Sequence, residues 1–170
     1  VLWIVTIYLA VPLLAVIALL QSTIVPHLAI WGVFADLPLL VVVSWGLLRG
    51  PREGIVWGFI AGFAVDLFSG APFGAATLAL MAVGFLSGLG EAAVFRGHLA
   101  FPLLIMFLAT FLYDLIFLLV VRISGTPVAW LDSLFRLVLP SAVLNVVLTP
   151  AVFLLVRWLH NRLRRREMEL

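Results

Sequence analysis

The side chains able to do chemistry in this chain are few and far apart. Asp36, Asp66 and Asp114 are carboxylates set among apolar residues, Asn145 is a carboxamide inside the last apolar run, and His27, His98 and His160 are the imidazoles. No two histidines have the helical spacing that puts two metal ligands on one face. Hydropathy also places His27 at one membrane boundary and the other two at the opposite one, so a shared metal site is not expected. With 0 cysteines, disulfides, thiol catalysis and Cys-ligated metals are excluded. A nucleophile with its base, or a carboxylate pair, needs polar groups converging at one depth, and the spacing signals neither. Glycine-rich phosphate loops are absent as well. The inventory reads as non-enzymatic, with no cofactor.

Each buried acid therefore needs a structural account. A carboxylate at membrane depth costs about 2.5–3.5 kcal/mol on insertion scales, so Asp66 should have a partner. Arg122 and Arg136 lie on the same predicted side. The turn that follows, Asp66-Leu-Phe-Ser-Gly-Ala-Pro-Phe-Gly74, offers backbone donors, and Gly70 and Gly74 in it permit positive φ. Clamping of this turn is expected ahead of proton or ion traffic, because no relay of further acids continues along the helix. Asp114 has no base nearby on its own helix and is either protonated or facing Asn145. Pro140 and Pro150 bracket Ser141, Asn145 and Thr149, which predicts a bent, hydrogen-bonded seam.

The elements that must hold these groups are set by hydropathy. With 65% hydrophobic residues and a mean hydropathy of +1.29, the chain carries more apolar surface than a soluble domain of 170 residues can bury. Lipid must cover the remainder. The runs are continuous, unlike the alternating strands of about 10 residues in a membrane barrel, so an all-α integral membrane bundle follows. Its spans are expected near 2–25, 29–48, 54–69, 74–95, 99–121 and 137–159, forming a single domain over 1–160 with a basic tail at 161–170. The first run lacks a basic leader and is too long for a signal peptide, and reads as a retained helix. Only 12 residues separate Asp36 from Arg49, about 18 Å as a helix. The second span is therefore expected to begin near Ala29 and to take Asp36 into the membrane edge.

Arginines orient the bundle, since cytoplasmic loops are enriched in them. With both termini cytoplasmic, Arg49, Arg52, Arg96 and the cluster Arg157, Arg162, Arg164, Arg165 and Arg166 lie inside, leaving only Arg122 and Arg136 outside. The cluster is expected to anchor the chain on anionic lipid; nucleic acid is not an expected partner. Between Arg122 and Arg136, Trp130, Leu131, Leu134 and Phe135 recur at helical spacing, predicting a short helix lying on the outer leaflet.

Gly54, Gly58, Gly62 and Asp66 follow at four-residue steps, which lines small residues along one ridge of the third span; Gly84 and Gly88 repeat the device in the fourth. Such ridges let helix backbones approach closely in lipid. They serve either packing within the bundle or a site for a foreign helix.

The segment Asp36-Leu-Pro-Leu-Leu-Val-Val-Val-Ser-Trp-Gly-Leu-Leu-Arg-Gly-Pro-Arg-Glu-Gly54, with Gly58-Phe59, Gly62, Asp66-Leu67, Ser69-Gly70 and Gly74, resembles the central signature of the MreD family. Leu20-Gln21-Ser22-Thr23 followed by Pro26 is similar to that family's end of the first helix. The family usually has proline directly before the acid that opens the second helix; here Ala35 precedes Asp36 and the proline is Pro38. The specific part of the likeness covers residues 20–75. It implies a six-helix fold similar to the substrate-binding S components of energy-coupling-factor transporters. It also implies a place in the bacterial cytoplasmic membrane beside MreC, within the cell-wall elongation machinery that includes MreB, RodA and the penicillin-binding transpeptidase. Homo-oligomerisation is left open.

Three functional classes compete on this reading. The first is a non-enzymatic adaptor that binds MreC and helps maintain rod shape. The second is a small-solute-binding or transport component of the S-component type, motivated by the short, Pro/Gly-interrupted second and third spans. The third is a membrane enzyme acting on lipid-linked wall precursors with Asp66 or Asp114 as base, for which isolated acids are thin support.

Overall fold

A computed structural model describes residues 2–29, 32–94 and 100–167. Six longer helices dominate: α1 (Leu2–Thr23), α2 (Leu37–Arg49), α3 (Pro51–Phe68), α4 (Ala75–Gly88), then after the single turn α5 (Glu91–Val94) α6 (Ala100–Ile123), and after the turn α7 (Trp130–Ser133) α8 (Leu139–Glu167). Three of the helical stretches, those ending in Thr23, Ile123 and Arg165, are long and apolar enough to cross a membrane, and Leu37–Arg49 and Ala75–Gly88 are shorter apolar helices. Side chains such as Tyr8, Leu67, Leu78, Leu108, Val147 and Leu155 point outward without cover. An apolar perimeter of this kind calls for lipid, so this is a membrane protein whose helices form a bundle.

The centre of the bundle is α2. Every residue from Pro38 to Leu48 is buried, because α1, α3, α4, α6 and α8 all pack against it. Its run of leucine and valine is apolar all round, the pattern of a helix enclosed by others. The helix starts at Leu37, which corrects the expected start near Ala29. Residues Val25–Leu28 form a separate 3-10 turn, Asp36 takes the N-cap with its carboxylate accepting from the Leu39 N–H, and Pro38 sits in the first turn, where its missing donor costs nothing. At 13 residues α2 is about 20 Å long, and enclosure by its neighbours removes the need to match a hydrocarbon core of about 30 Å.

Gly50, at φ +89, turns the chain directly from α2 into α3, and α3 then lies along α4 in the most extensive helix contact of the fold. The fourth expected span, 74–95, is interrupted: α4 ends at Gly88, and Gly90 turns the chain into α5. Phe101 and Leu47 lie so close to Gly90 that no larger residue fits there without a shift.

The expected helix on the outer leaflet is not a separate element. Trp130–Ser133 runs through a π-helical turn at Leu134–Val138 straight into α8. Pro140 explains the register change, because it has no N–H to give the carbonyl four residues earlier; the wider turn restores a bond from the Leu139 N–H to the Leu134 carbonyl. At its other end α8 carries on through the arginine cluster as helix, so the expected tail is a continuation of the last helix. Arg157, Arg162, Arg164 and Arg165 are exposed on it, with the Arg162 guanidinium 4.7 Å from the Trp158 ring centroid. Of the predicted basic residues, Arg96 and the side chain of Arg166 lie outside the described part of the chain, as does His98.

Candidate functional site

Glycines set the spacing of α3 and α4. A Cβ on Gly54 would collide with the Gly84 carbonyl and one on Gly84 with the Gly54 carbonyl. At Gly58 it would meet the Leu80 carbonyl, at Gly62 the backbone of Thr77, and at Gly88 that of Pro51. All five predicted glycines thus lie on the internal seam around α3 and α4. Gly46 of α2 joins them, since a Cβ there would come within 2.6 Å of Ser87 Oγ.

At one end of that seam Asp66 is enclosed by donors. Its carboxylate accepts from the backbone N–H groups of Gly74, Ala76 and Thr77, each at 3.0 Å, and from the Thr77 hydroxyl at 2.6 Å. These are the orphan donors at the start of α4, whose own N-cap residue Gly74, at φ +99, has no side chain to offer. Asp66 supplies the cap from the neighbouring helix, where negative charge also suits the positive end of the α4 dipole. The backbone takes the role that Arg122 and Arg136 were candidates for: Arg136 pairs with Asp132 at 2.6 Å on the surface. Gly70 stands free, with nothing within 4 Å of an added Cβ.

At the opposite end of α3, Glu53 accepts from the Trp45 indole N–H at 2.9 Å and from Arg49 Nε at 3.1 Å. Trp45 stacks on Trp57 with ring centroids 4.0 Å apart, and Arg49 Nη2 donates to Thr6 Oγ1 at 3.3 Å, tying α1, α2 and α3 together. The His160 ring meets the Trp45 ring edge-on. His27 is exposed and bonds to the Thr23 carbonyl. Among the described residues no three His, Asp or Glu side chains gather to hold a metal ion.

The remaining predicted polar residues converge. Asn145, fully buried on α8, accepts from the Asp36 N–H at 3.0 Å and donates to Thr110 Oγ1 on α6 at 3.2 Å. Gln21 on α1 grips the same corner, donating to the Ala35 carbonyl and accepting from the Leu37 N–H, both at 3.0 Å. One α6 turn beyond Thr110, Asp114 accepts from Ser141 Oγ at 3.3 Å. These groups, with Tyr113, line a cavity of about 480 Å³ walled by Leu39, Phe34, Phe68, Phe117 and Leu137. Asp36, Asp114 and Asn145 are therefore brought together, while Asp66 does not line the cavity. Gln21 and Thr110 are not apparent as site residues from hydropathy. Their signals are a glutamine at the end of a long apolar helix, and Thr110, Tyr113 and Asp114 at i, i+3 and i+4 on one helical face.

The family model described as rod shape-determining protein MreD matches residues 4–159. No solved structure matches the chain.

Proposed function

Because the chain belongs to the family of rod shape-determining protein MreD, we propose that it is a non-enzymatic subunit of the bacterial cell-wall elongation complex, binding MreC in the membrane. The match over residues 4–159 carries this reading. In it, six helices cross the cytoplasmic membrane, α2, α3 and α4 among them, with both termini and the arginine cluster on the cytoplasmic side. MreB, RodA and the penicillin-binding transpeptidase are the further members of the assembly.

Packing supports a scaffold over an enzyme. The carboxylate of Asp66 is occupied by four donors at the start of α4, so its acceptor positions are committed to holding that helix. The glycine ridges are filled by α3 and α4 themselves, so the partner helix is left the outward apolar surfaces. An open groove beside Val33 runs over Leu139, Val143 and Val147 of α8, and we assign it to the single membrane helix of MreC. Val143 and Val147 are exposed by 54% and 67%, so substitution there leaves the core alone. Copurification of MreC with Val143→Arg and Val147→Arg variants tests the assignment: loss of MreC from a folded variant supports it, and unchanged recovery with normal cell shape refutes it.

The cavity favours one other reading, a small-solute-binding component of the energy-coupling-factor S type. Stabilisation of the purified protein by a vitamin-sized solute would support that class.

A further inference from the structure

We propose that the cavity between α1, α2, α3, α6 and α8 binds an organic cation, a protonated amine carried on an apolar body. Its volume of about 480 Å³ falls in the range of small-molecule sites, roughly 300–1,000 Å³. Its occupant follows from the hydrogen-bonding capacity that the fold has engaged and that it has left over.

The amide groups at the cavity are engaged at both ends. Asn145 uses its oxygen on the Asp36 N–H and its nitrogen on Thr110, and Gln21 uses both ends on the backbone around Asp36. The carboxylates are not. Each offers about four acceptor positions, of which Asp36 gives one to the Leu39 N–H and Asp114 one to Ser141. Tyr113 lies beside Asp36 and takes up part of its remainder. Ser69 Oγ, also on the cavity wall, is buried without a protein partner. Acceptor positions on the two carboxylates thus outnumber the donors bonded to them, and an ammonium group brings three donors.

Charge points the same way. Among the described residues no Arg, Lys or His lines the cavity, whereas the carboxyl groups of Asp36 and Asp114 both do. An anionic ligand would find no counter-charge there; a cation would find two carboxyl groups. A bare divalent metal would need 6–8 oxygen ligands if calcium, and among the described residues no third acid joins the pair. Phe34, Phe68 and Phe117 supply apolar and aromatic walls, against which a cation gains further attraction. The ammonium could belong to a soluble amine or to the headgroup of an aminophospholipid; the chemistry recognised is the same. The inference rests on the cavity alone and is independent of MreC binding.

The test uses the intact protein in detergent and in nanodiscs, with octylammonium, octanol and octanoate as probes of equal chain length and different charge. Octylammonium should bind at least tenfold more tightly than octanol, and octanoate more weakly than either. Asp36→Asn retains an N-cap side chain and Asp114→Asn retains an acceptor for Ser141, so both should fold; each should weaken octylammonium at least fivefold while leaving octanol unchanged. Asp132→Asn, on the surface, should alter neither. In nanodiscs of constant phosphatidylglycerol content, weaker octylammonium binding when phosphatidylethanolamine replaces phosphatidylcholine identifies the lipid headgroup as occupant, and undiminished binding identifies a soluble amine; both outcomes support the site. Equal affinity for octanol and octylammonium in the unmodified protein overturns the proposal whatever the variants do, as does a preference for octanoate.

Discussion

Gly54 and Gly84 face each other so closely that each backbone carbonyl occupies the space a Cβ on the other would need. The contact is reciprocal and both sides are main chain, so neither helix can yield by rotating a side chain. Gly54→Ala or Gly84→Ala should lower stability by about 1–3 kcal/mol, the usual cost of overpacking. A thermal or chemical unfolding series in detergent would measure it. Leucine at Gly58 or Gly62 should cost more, and any resulting loss of MreC would then follow from a damaged bundle rather than a damaged docking face.

Asp66 gives a second expectation. Asp66→Ala removes the acceptor for three backbone N–H groups and the Thr77 hydroxyl at the start of α4. Loss of a cap alone costs about 0.5–2 kcal/mol, and leaving buried donors unpaired adds about 1–3 kcal/mol for each that water cannot reach. Hydrogen exchange should accelerate selectively in the first turn of α4.

Glu53 joins Trp45 and Arg49 from one carboxylate, with the Arg49 and Glu53 side chains only 19% and 14% exposed. Glu53→Ala should destabilise by about 3 kcal/mol, because it strands a largely buried guanidinium. The tryptophan emission of the variant should shift as the Trp45 indole N–H loses its partner.

Removing Asn145 should separate α8 from the α2 N-terminus. Asn145→Leu leaves the Asp36 N–H without its acceptor and Thr110 without its donor, an expected loss of about 1–3 kcal/mol. Asn145→Asp keeps the acceptor but adds a third carboxyl to the cavity of Asp36 and Asp114, and should not recover the loss.

The proposed orientation can be mapped cleanly because the chain has 0 cysteines. A membrane-impermeant maleimide applied to intact cells should label Gly125→Cys and leave Arg164→Cys unlabelled until the membrane is opened. Labelling of Arg164→Cys from outside would reverse the assignment of the termini.

Long apolar runs made the helices legible, and the four-residue steps of glycine marked the ridge on α3. The Asp66 turn was legible too, since a carboxylate followed by a glycine-rich turn has few other uses at membrane depth. Two things escaped. The late start of α2 follows from Asp36 and Pro38 acting as a cap, a local signal that a hydropathy argument about span length overrode. The cavity escaped because its groups come from distant parts of the chain: Gln21, Asp36, Asp114 and Asn145 look isolated in sequence and meet only when α1, α6 and α8 close around α2. The π turn before α8 had a visible cause in Pro140, but proline alone does not say whether a helix stops, kinks or widens.

The enclosure of α2 also bears on how the protein is made. A helix about 20 Å long, with a carboxylate at its head, is a poor candidate for independent release into lipid during translation. Its neighbour α3 follows after one glycine, so the two are suited to enter as a paired unit. Asn145, which receives the Asp36 N–H, is not yet synthesised when α2 leaves the ribosome. The middle of the bundle is thus completed by its last helix, and nascent chains stopped short of α8 should be preferred substrates for membrane quality control.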